Sequence, residues 1–125
     1  MAEIVYPELS YRVMEAVFAV HKELGPGFVE SVYENALMEE FRSKGLKFEN
    51  QKNVTVKYKG KKIGGHKLDL LIEDKIVLEL KAVEFFCAHH KAQLLSYLKA
   101  TGYKLGILVN FSKARIEYKR IVNLS

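Results

Sequence analysis

The stretch Gly65–Lys81, GHKLDLLIEDKIVLELK, limits most strongly what this chain can fold into. Two short apolar segments flank the polar turn Glu73–Lys75, a pattern that predicts a β-hairpin. Charges interrupt the segments at Asp69 in the first and at Glu79 and Lys81 in the second. Glu79 and Lys81 are two residues apart, so they point to the same face of a strand. A turn centred on its middle residue would place Asp69 directly opposite Glu79, whereas a one-residue slip would move Asp69 to the other face.

The rest of the chain predicts three helices. Apolar residues at three- and four-residue steps from Pro7 to Leu24 indicate the first helix, which Gly25–Gly27 ends. A second helix follows from about Phe28 to Lys44, and a third runs roughly from Ala88 to Thr101 and ends at Gly102.

Five strands complete the prediction, and the segment 47–51 before the first of them is predicted to be a polar connection. The strands are Val54–Tyr58, Lys62–Ile72, Ile76–Lys81, Leu105–Phe111 and Ile116–Val122. A strand, a helix and a strand in succession favour a parallel crossover. We therefore expect one α/β domain over residues 1–125, in the order α-α-β-β-β-α-β-β, with a mixed central sheet flanked by helices.

Three features inside these elements each have two interpretations. Gly64-Gly65 within a strand indicates a bulge or a close backbone approach. His66 beside them could face a site, but a surface histidine is the expectation. His21, near the end of the first helix, could be a ligand, and a solvated helix-end histidine is favoured.

Composition restricts the class of protein. At 125 residues the chain is one domain, and a net charge of +5 allows an anionic partner, nucleic acid included, or merely a mildly basic soluble protein. The single cysteine, Cys87, excludes an internal disulfide and a cysteine-based zinc site, which fits a reducing, cytoplasmic setting. The opening MAEIVYPELS lacks the pattern of a signal peptide, and no apolar run approaches the ~20 residues of a membrane span, so no membrane partner is expected.

The charged residues of the hairpin suggest a chemistry. Two converging carboxylates, Asp69 and Glu79, with the backbone carbonyl of Leu80, would make a hard-oxygen site for Mg²⁺ or Mn²⁺. Lys81 beside the metal could orient or deprotonate a water, a set of groups that suits phosphodiester hydrolysis. The structural alternative is a salt bridge between Lys81 and the acids. No GxGxxG or GxxxxGK[ST] pattern indicates a nucleotide site.

Two helical side chains are further candidates. Glu30 lies three residues before Tyr33 on the apolar stripe of the second helix. It is either a carboxylate aimed into a site or a first-turn acid favoured by the helix dipole, and the helix alone favours the dipole. Gln93, four residues before Tyr97, either lies at the mouth of the site or is an ordinary polar flank of a core helix.

Several separated motifs together resemble a known family. Asp69 followed by Glu79–Lys81 resembles the core signature of the PD-(D/E)xK nuclease-like superfamily. Gly27–Tyr33, GFVESVY, matches the GxxExxY pattern, and Gln93–Leu98 and Leu105–Phe111 resemble the later part of that family. The chain thus resembles the GxxExxY family of this superfamily, from about residue 11 to residue 122.

The resemblance implies a restriction-endonuclease-like domain and a role for each matching residue. It implies that Asp69 and Glu79 are metal ligands and that Glu30 matches a helix carboxylate that contacts the metal directly or through water. Lys81 would position the attacking water or stabilise the pentacovalent phosphate, Gln93 would support the site or touch the phosphate, and Tyr33 would pack. The chain departs from the family in having Leu68 in place of a proline and Lys67 in place of an arginine.

These observations lead to one functional expectation and one alternative. We expect a metal-dependent nuclease that hydrolyses DNA or RNA with Mg²⁺ or Mn²⁺. The alternative is a non-catalytic nucleic-acid- or protein-binding module, against which the intact acid–acid–lysine set argues. Three acids beside one lysine predict a raised pKa for at least one acid, or a bound cation. A homodimer is a further expectation, since small single-domain nucleases often need two copies to cut duplex.

Overall fold

The computed structural model describes residues 5–124, so Met1–Ile4 of the N-terminal stretch and Ser125 lie outside the described residues. The elements are α1 (Pro7–Leu24), α2 (Glu30–Ser43), β1 (Phe48–Tyr58), β2 (Lys61–Ile72), β3 (Ile76–Lys81), α3 (Ala88–Thr101), β4 (Leu105–Asn110) and β5 (Glu117–Val122). The predicted α/β order of elements is confirmed.

The five strands form one mixed sheet in the order β1-β2-β3-β4-β5. Strands β3 and β4 pair in parallel and are joined through α3, as predicted, while the other neighbours are antiparallel. Helices α1 and α2 pack on one face, where Tyr33, Leu37 and Phe41 are fully buried, and α3 covers the other face with Leu94 and Leu98. Apolar cores on both faces explain why β3 and β4 are the most continuously buried strands.

The main boundary error concerns β1, which begins at Phe48 rather than Val54. The predicted polar connection at 47–51 is wrong. Polar side chains are tolerated on this half-exposed edge strand, and within this segment Phe48 is the residue that packs against the core. No helix in residues 5–124 is long and apolar enough to cross a membrane.

The hairpin register was predicted correctly. Ile72 pairs with Ile76 and Leu70 with Leu78, which centres the turn on Asp74. Beyond Leu70 the pairing of β2 with β3 stops, and β2 continues paired with β1 alone. We call this two-stranded extension, residues 52–67, the ribbon, and the point where it leaves β3 the fork.

Backbone irregularities bracket the ribbon. Gln51, which the β1–β2 register places opposite Asp69, has a φ of 52°, in the left-handed region. The register shifts between Val56 and Lys57, next to Gly64, and a Cβ on Gly65 would lie 2.9 Å from the Val54 carbonyl oxygen. The predicted bulge and close backbone approach are both present.

The expectation for His21 is wrong. Its side chain is buried, and its Nε2 lies 2.8 Å from the backbone carbonyl of Lys113. The loop after β4 covers the end of α1, a tertiary contact that the local helix pattern does not reveal.

Candidate active site

Asp69 lies at the fork, where β3 has lost a strand partner. The Leu80 N–H donates to Asp69 Oδ2 at 2.8 Å, and the Asp69 N–H donates to Glu79 Oε1 at a longer 3.4 Å. A backbone donor left without a strand partner must be satisfied by another group. The Asp69 carboxylate therefore accepts the hydrogen bond that a backbone carbonyl of a β2 partner would have accepted from the Leu80 N–H. This bond holds Asp69 beside Glu79.

Glu79 projects from β3 toward α3 and is only 7% exposed. Burial, and then the charge of Asp69 and a hydrogen bond to it, raise the pKa of Glu79 from 4.5 to about 9, against a smaller opposing effect of Lys81. The prediction that at least one acid has a raised pKa is thereby confirmed. A pKa of about 9 keeps Glu79 protonated at neutral pH, which avoids a second negative charge beside Asp69.

Glu30 is the first residue of α2, and its Oε2 accepts a hydrogen bond from the Ala82 N–H at 3.1 Å. It therefore satisfies a second donor just beyond β3, two residues after the one that Asp69 satisfies. Its side chain is exposed. A first-turn acid of α2 thus reaches the end of the strand that carries Glu79 and Lys81, and its role toward a metal stays a prediction.

Sequence reasoning missed two neighbours, Glu34 and Gln51. Gln51 Nε2 donates to Glu34 Oε1 at 2.8 Å and to Asp69 Oδ1 at 3.4 Å. Burial raises the pKa of Glu34, with smaller contributions from the charges of Asp69 and Glu30 and an opposing hydrogen bond from Gln51. The four-residue spacing from Glu30 on one helix was the available signal for Glu34. Gln51 could be found only once β1 was known to extend to Phe48.

The α3 side of the site is a small cleft that Glu79 shares with Lys81, Gln93 and Tyr97. Gln93 therefore lies next to the carboxylate pair. The ring of His66 stacks on Tyr97 with centroids 4.0 Å apart, and its Nε2 lies 3.8 Å from Glu79 Oε1. The expectation of a surface histidine is wrong, because the ribbon curls its inner face over α3. Burial chiefly lowers the pKa of His66.

Lys81 is half-buried and makes no ion pair with any acid among residues 5–124. The alternative of a salt bridge between Lys81 and the acids is not what the structure shows. An ammonium group beside two carboxyls, with no direct partner, is free to meet another anion.

The carboxyl groups and the Leu80 carbonyl at the fork are the groups that could bind a metal ion. Among the described residues no three His, Cys, Asp or Glu side chains form a group that could hold an ion. Asp69 and Glu79 are brought together, while Glu30 is turned to Ala82. The Leu80 carbonyl points into the fork, since the N–H and C=O of one strand residue face the same side. Two neighbouring carboxyl groups with a carbonyl beside them fit a hard cation, which would replace the proton of Glu79. The individual roles remain predictions.

Comparisons with known proteins agree with this geometry. The family model of the PD-(D/E)XK nuclease superfamily matches residues 7–121. The crystal structure of SSO0001 is 25% identical with a TM-score of 0.60, and the match covers 94% of this chain and 57% of that one. This chain thus spans little more than half the length of that protein. No curated protein sequence matches.

The match over nearly the whole chain confirms the restriction-endonuclease-like fold, while the narrower GxxExxY resemblance remains a prediction. Sheet order, fork and acid pair, together with the matched residues 7–121, lead to one assignment. This chain belongs to the PD-(D/E)XK nuclease superfamily.

Proposed function

We propose that the protein is a nuclease that hydrolyses phosphodiester bonds in DNA or RNA with Mg²⁺ or Mn²⁺. One observation carries the proposal: Asp69 and Glu79 meet at the fork beside the Lys81 ammonium, which pairs with no acid among residues 5–124. Such a pair is costly to the fold unless a cation or a proton compensates it.

Each group at the fork has a separate role in this proposal. Asp69, Glu79 and the Leu80 carbonyl would hold the ion, with Glu30 contacting it through water. A bound Mg²⁺ or Mn²⁺ supplies Lewis acidity toward a phosphate oxygen and lowers the pKa of a water. Lys81 orients the attacking water and faces the charge that develops on the phosphate. Gln93, in the same cleft, donates to a phosphate oxygen and fixes its orientation.

The first test is a calorimetric titration of Mn²⁺ into the wild type, Asp69→Asn and Asp74→Asn. Asp74 is the matched control, because it lies in the turn of the same hairpin and, within residues 5–124, accepts one hydrogen bond, from the Tyr103 hydroxyl at 3.0 Å. We expect Asp69→Asn to lose at least tenfold in affinity and Asp74→Asn to bind like the wild type. Binding should also release the proton of Glu79, so the measured enthalpy should vary with the ionisation enthalpy of the buffer. Equal binding by all three proteins would contradict the proposal.

The second test separates cleavage from metal uptake. Lys81→Met should retain Mn²⁺ binding and lose at least 10²-fold in cleavage of whichever substrate the wild type cuts, among labelled single-stranded DNA, duplex DNA and RNA. That no three His, Cys, Asp or Glu side chains form an ion-holding group within residues 5–124 favours one other function, a binding module. Nucleic-acid binding without Mn²⁺ uptake would support that module instead.

A further inference from the structure

The positive charge of the chain is concentrated in the ribbon. Residues 50–68 contain six lysines and no acid, which leaves 14 basic and 15 acidic side chains for the rest of the chain. The ribbon thus carries a charge of +6, and the rest of the chain carries a net charge of −1. Only Lys52 is neutralised by an ion pair, to Glu49 at 3.0 Å; the other five make none with acids among residues 5–124.

The outer face of the ribbon is polar, exposed and cationic. Val54 and His66 on the inner face turn toward α3 and Tyr97. The residues that alternate with them face away from α3 and are all exposed: Asn53, Thr55, Lys57, Lys62, Gly65 and Lys67. Amide and hydroxyl groups interspersed with ammonium groups are donors from which phosphate oxygens accept hydrogen bonds.

One pairing on this face opposes folding. Lys57 and Lys62 lie directly opposite each other in the β1–β2 register. Like charges in directly opposed strand positions are destabilising, and no acid compensates these two. A polyanion bound along the face would turn this repulsion into attraction.

The position of the ribbon relative to the fork indicates which polyanion. Lys67 lies two residues before Asp69, and Lys62 lies five residues farther, about 17 Å along an extended strand. That length corresponds to about five base-pair steps of B-form DNA. A backbone held along the outer face of the ribbon would reach the fork at Asp69.

We infer that the outer face of the ribbon binds the phosphate backbone of the nucleic acid on one side of the scissile bond. The inference rests on the proposed function, since it takes the fork as the place of cleavage. Lys57, Lys62 and Lys67 supply the charge, and Asn53 and Thr55 supply hydrogen bonds.

The test is fluorescence anisotropy of labelled 20-nucleotide single-stranded and 20-base-pair duplex DNA, in EDTA to prevent cleavage, over a range of salt concentrations. The ribbon variant combines Lys57→Gln, Lys62→Gln and Lys67→Gln. The control removes the same charge elsewhere, with exposed Lys22→Gln, Lys99→Gln and Lys119→Gln. We expect the ribbon variant to lower the slope of log K against log salt by about two, and the control to lower it by less than about 0.5.

A rescue variant excludes misfolding. Lys57→Arg, Lys62→Arg and Lys67→Arg together keep the charge and should keep the salt slope of the wild type. Equal losses in the ribbon and control variants, or no DNA binding by the wild type at low salt, would overturn the inference.

Failure of the inference is distinguishable from failure of the nuclease proposal. If Mn²⁺ binds at Asp69 and the ribbon variant binds DNA normally, only the inference fails. If the ribbon variant loses DNA binding and no Mn²⁺ binds at all, the ribbon is a binding surface on a protein that does not use this metal.

Discussion

Glu79 is the residue whose protonation departs most from that of a free side chain. It keeps its proton up to a pH of about 9 in the folded protein, but loses it near pH 4.5 once unfolded. Between these values the folded state binds more protons than the unfolded state, so stability must fall as pH rises.

Glu79→Gln should remove this dependence. The wild type is expected to lose about 1 kcal/mol of unfolding free energy per pH unit relative to the variant between pH 5 and 9, because glutamine is neutral in both states. Urea denaturation of both proteins at pH 5, 7 and 9 measures the difference and cancels the other titrating groups. Parallel curves would show that Glu79 is ionised in the folded protein.

Residue positions set by local rules could be predicted from the sequence. Asp69 and Glu79 were placed opposite each other because a three-residue turn fixes the strand register. His21 and His66 were misplaced because their partners, Lys113 and Tyr97, are distant in sequence. A histidine's neighbours depend on tertiary packing, which no periodicity describes.

The ribbon is the element where backbone geometry matters most. Its strands approach closely at Gly65, while an added Cβ on Gly64 would meet nothing within 4 Å. The neighbouring glycines therefore form a natural pair of test positions. Their presence in a strand pattern was a usable signal of the bulge, whereas the polar start of β1 gave none.

Gly65→Ala should destabilise the protein by about 1–3 kcal/mol, because the new methyl group meets the Val54 carbonyl oxygen at 2.9 Å and the backbone must shift. Gly64→Ala should change stability by less than about 1 kcal/mol in either direction. Chemical denaturation measures both. Equal costs for the two substitutions would mean that the strands of the ribbon are not this close.

At the scale of the whole molecule, stability should be distributed unevenly. Strands β3 and β4 are buried between two layers of helices, whereas the outer half of the ribbon is exposed. The fold was predictable because apolar residues recur at helix or strand spacing within each element and short connections join the elements. The separation of the basic ribbon from the rest of the molecule could not be predicted, because it depends on knowing that β2 stops pairing with β3 beyond Leu70.

Hydrogen exchange measured by mass spectrometry should show this gradient. Amides of 76–80 and 105–110 are expected to exchange only on global unfolding, and those of 56–64 at least 10²-fold faster, because few apolar contacts oppose local opening there. Adding the 20-base-pair duplex should slow exchange in the ribbon and leave the central strands unchanged. Uniform protection across all strands would contradict the gradient.

The fork has a consequence for how such domains lose activity. Asp69 and Glu30 close an open strand edge by accepting from Leu80 and Ala82, so they help the chain fold whether or not it cuts a substrate. An inactive descendant would be under pressure to keep both acids, and their presence alone does not identify a working enzyme. The Lys81 ammonium closes no edge and pairs with no acid among the described residues. A lysine at position 81 is therefore a more informative sign of catalysis than the two acids are.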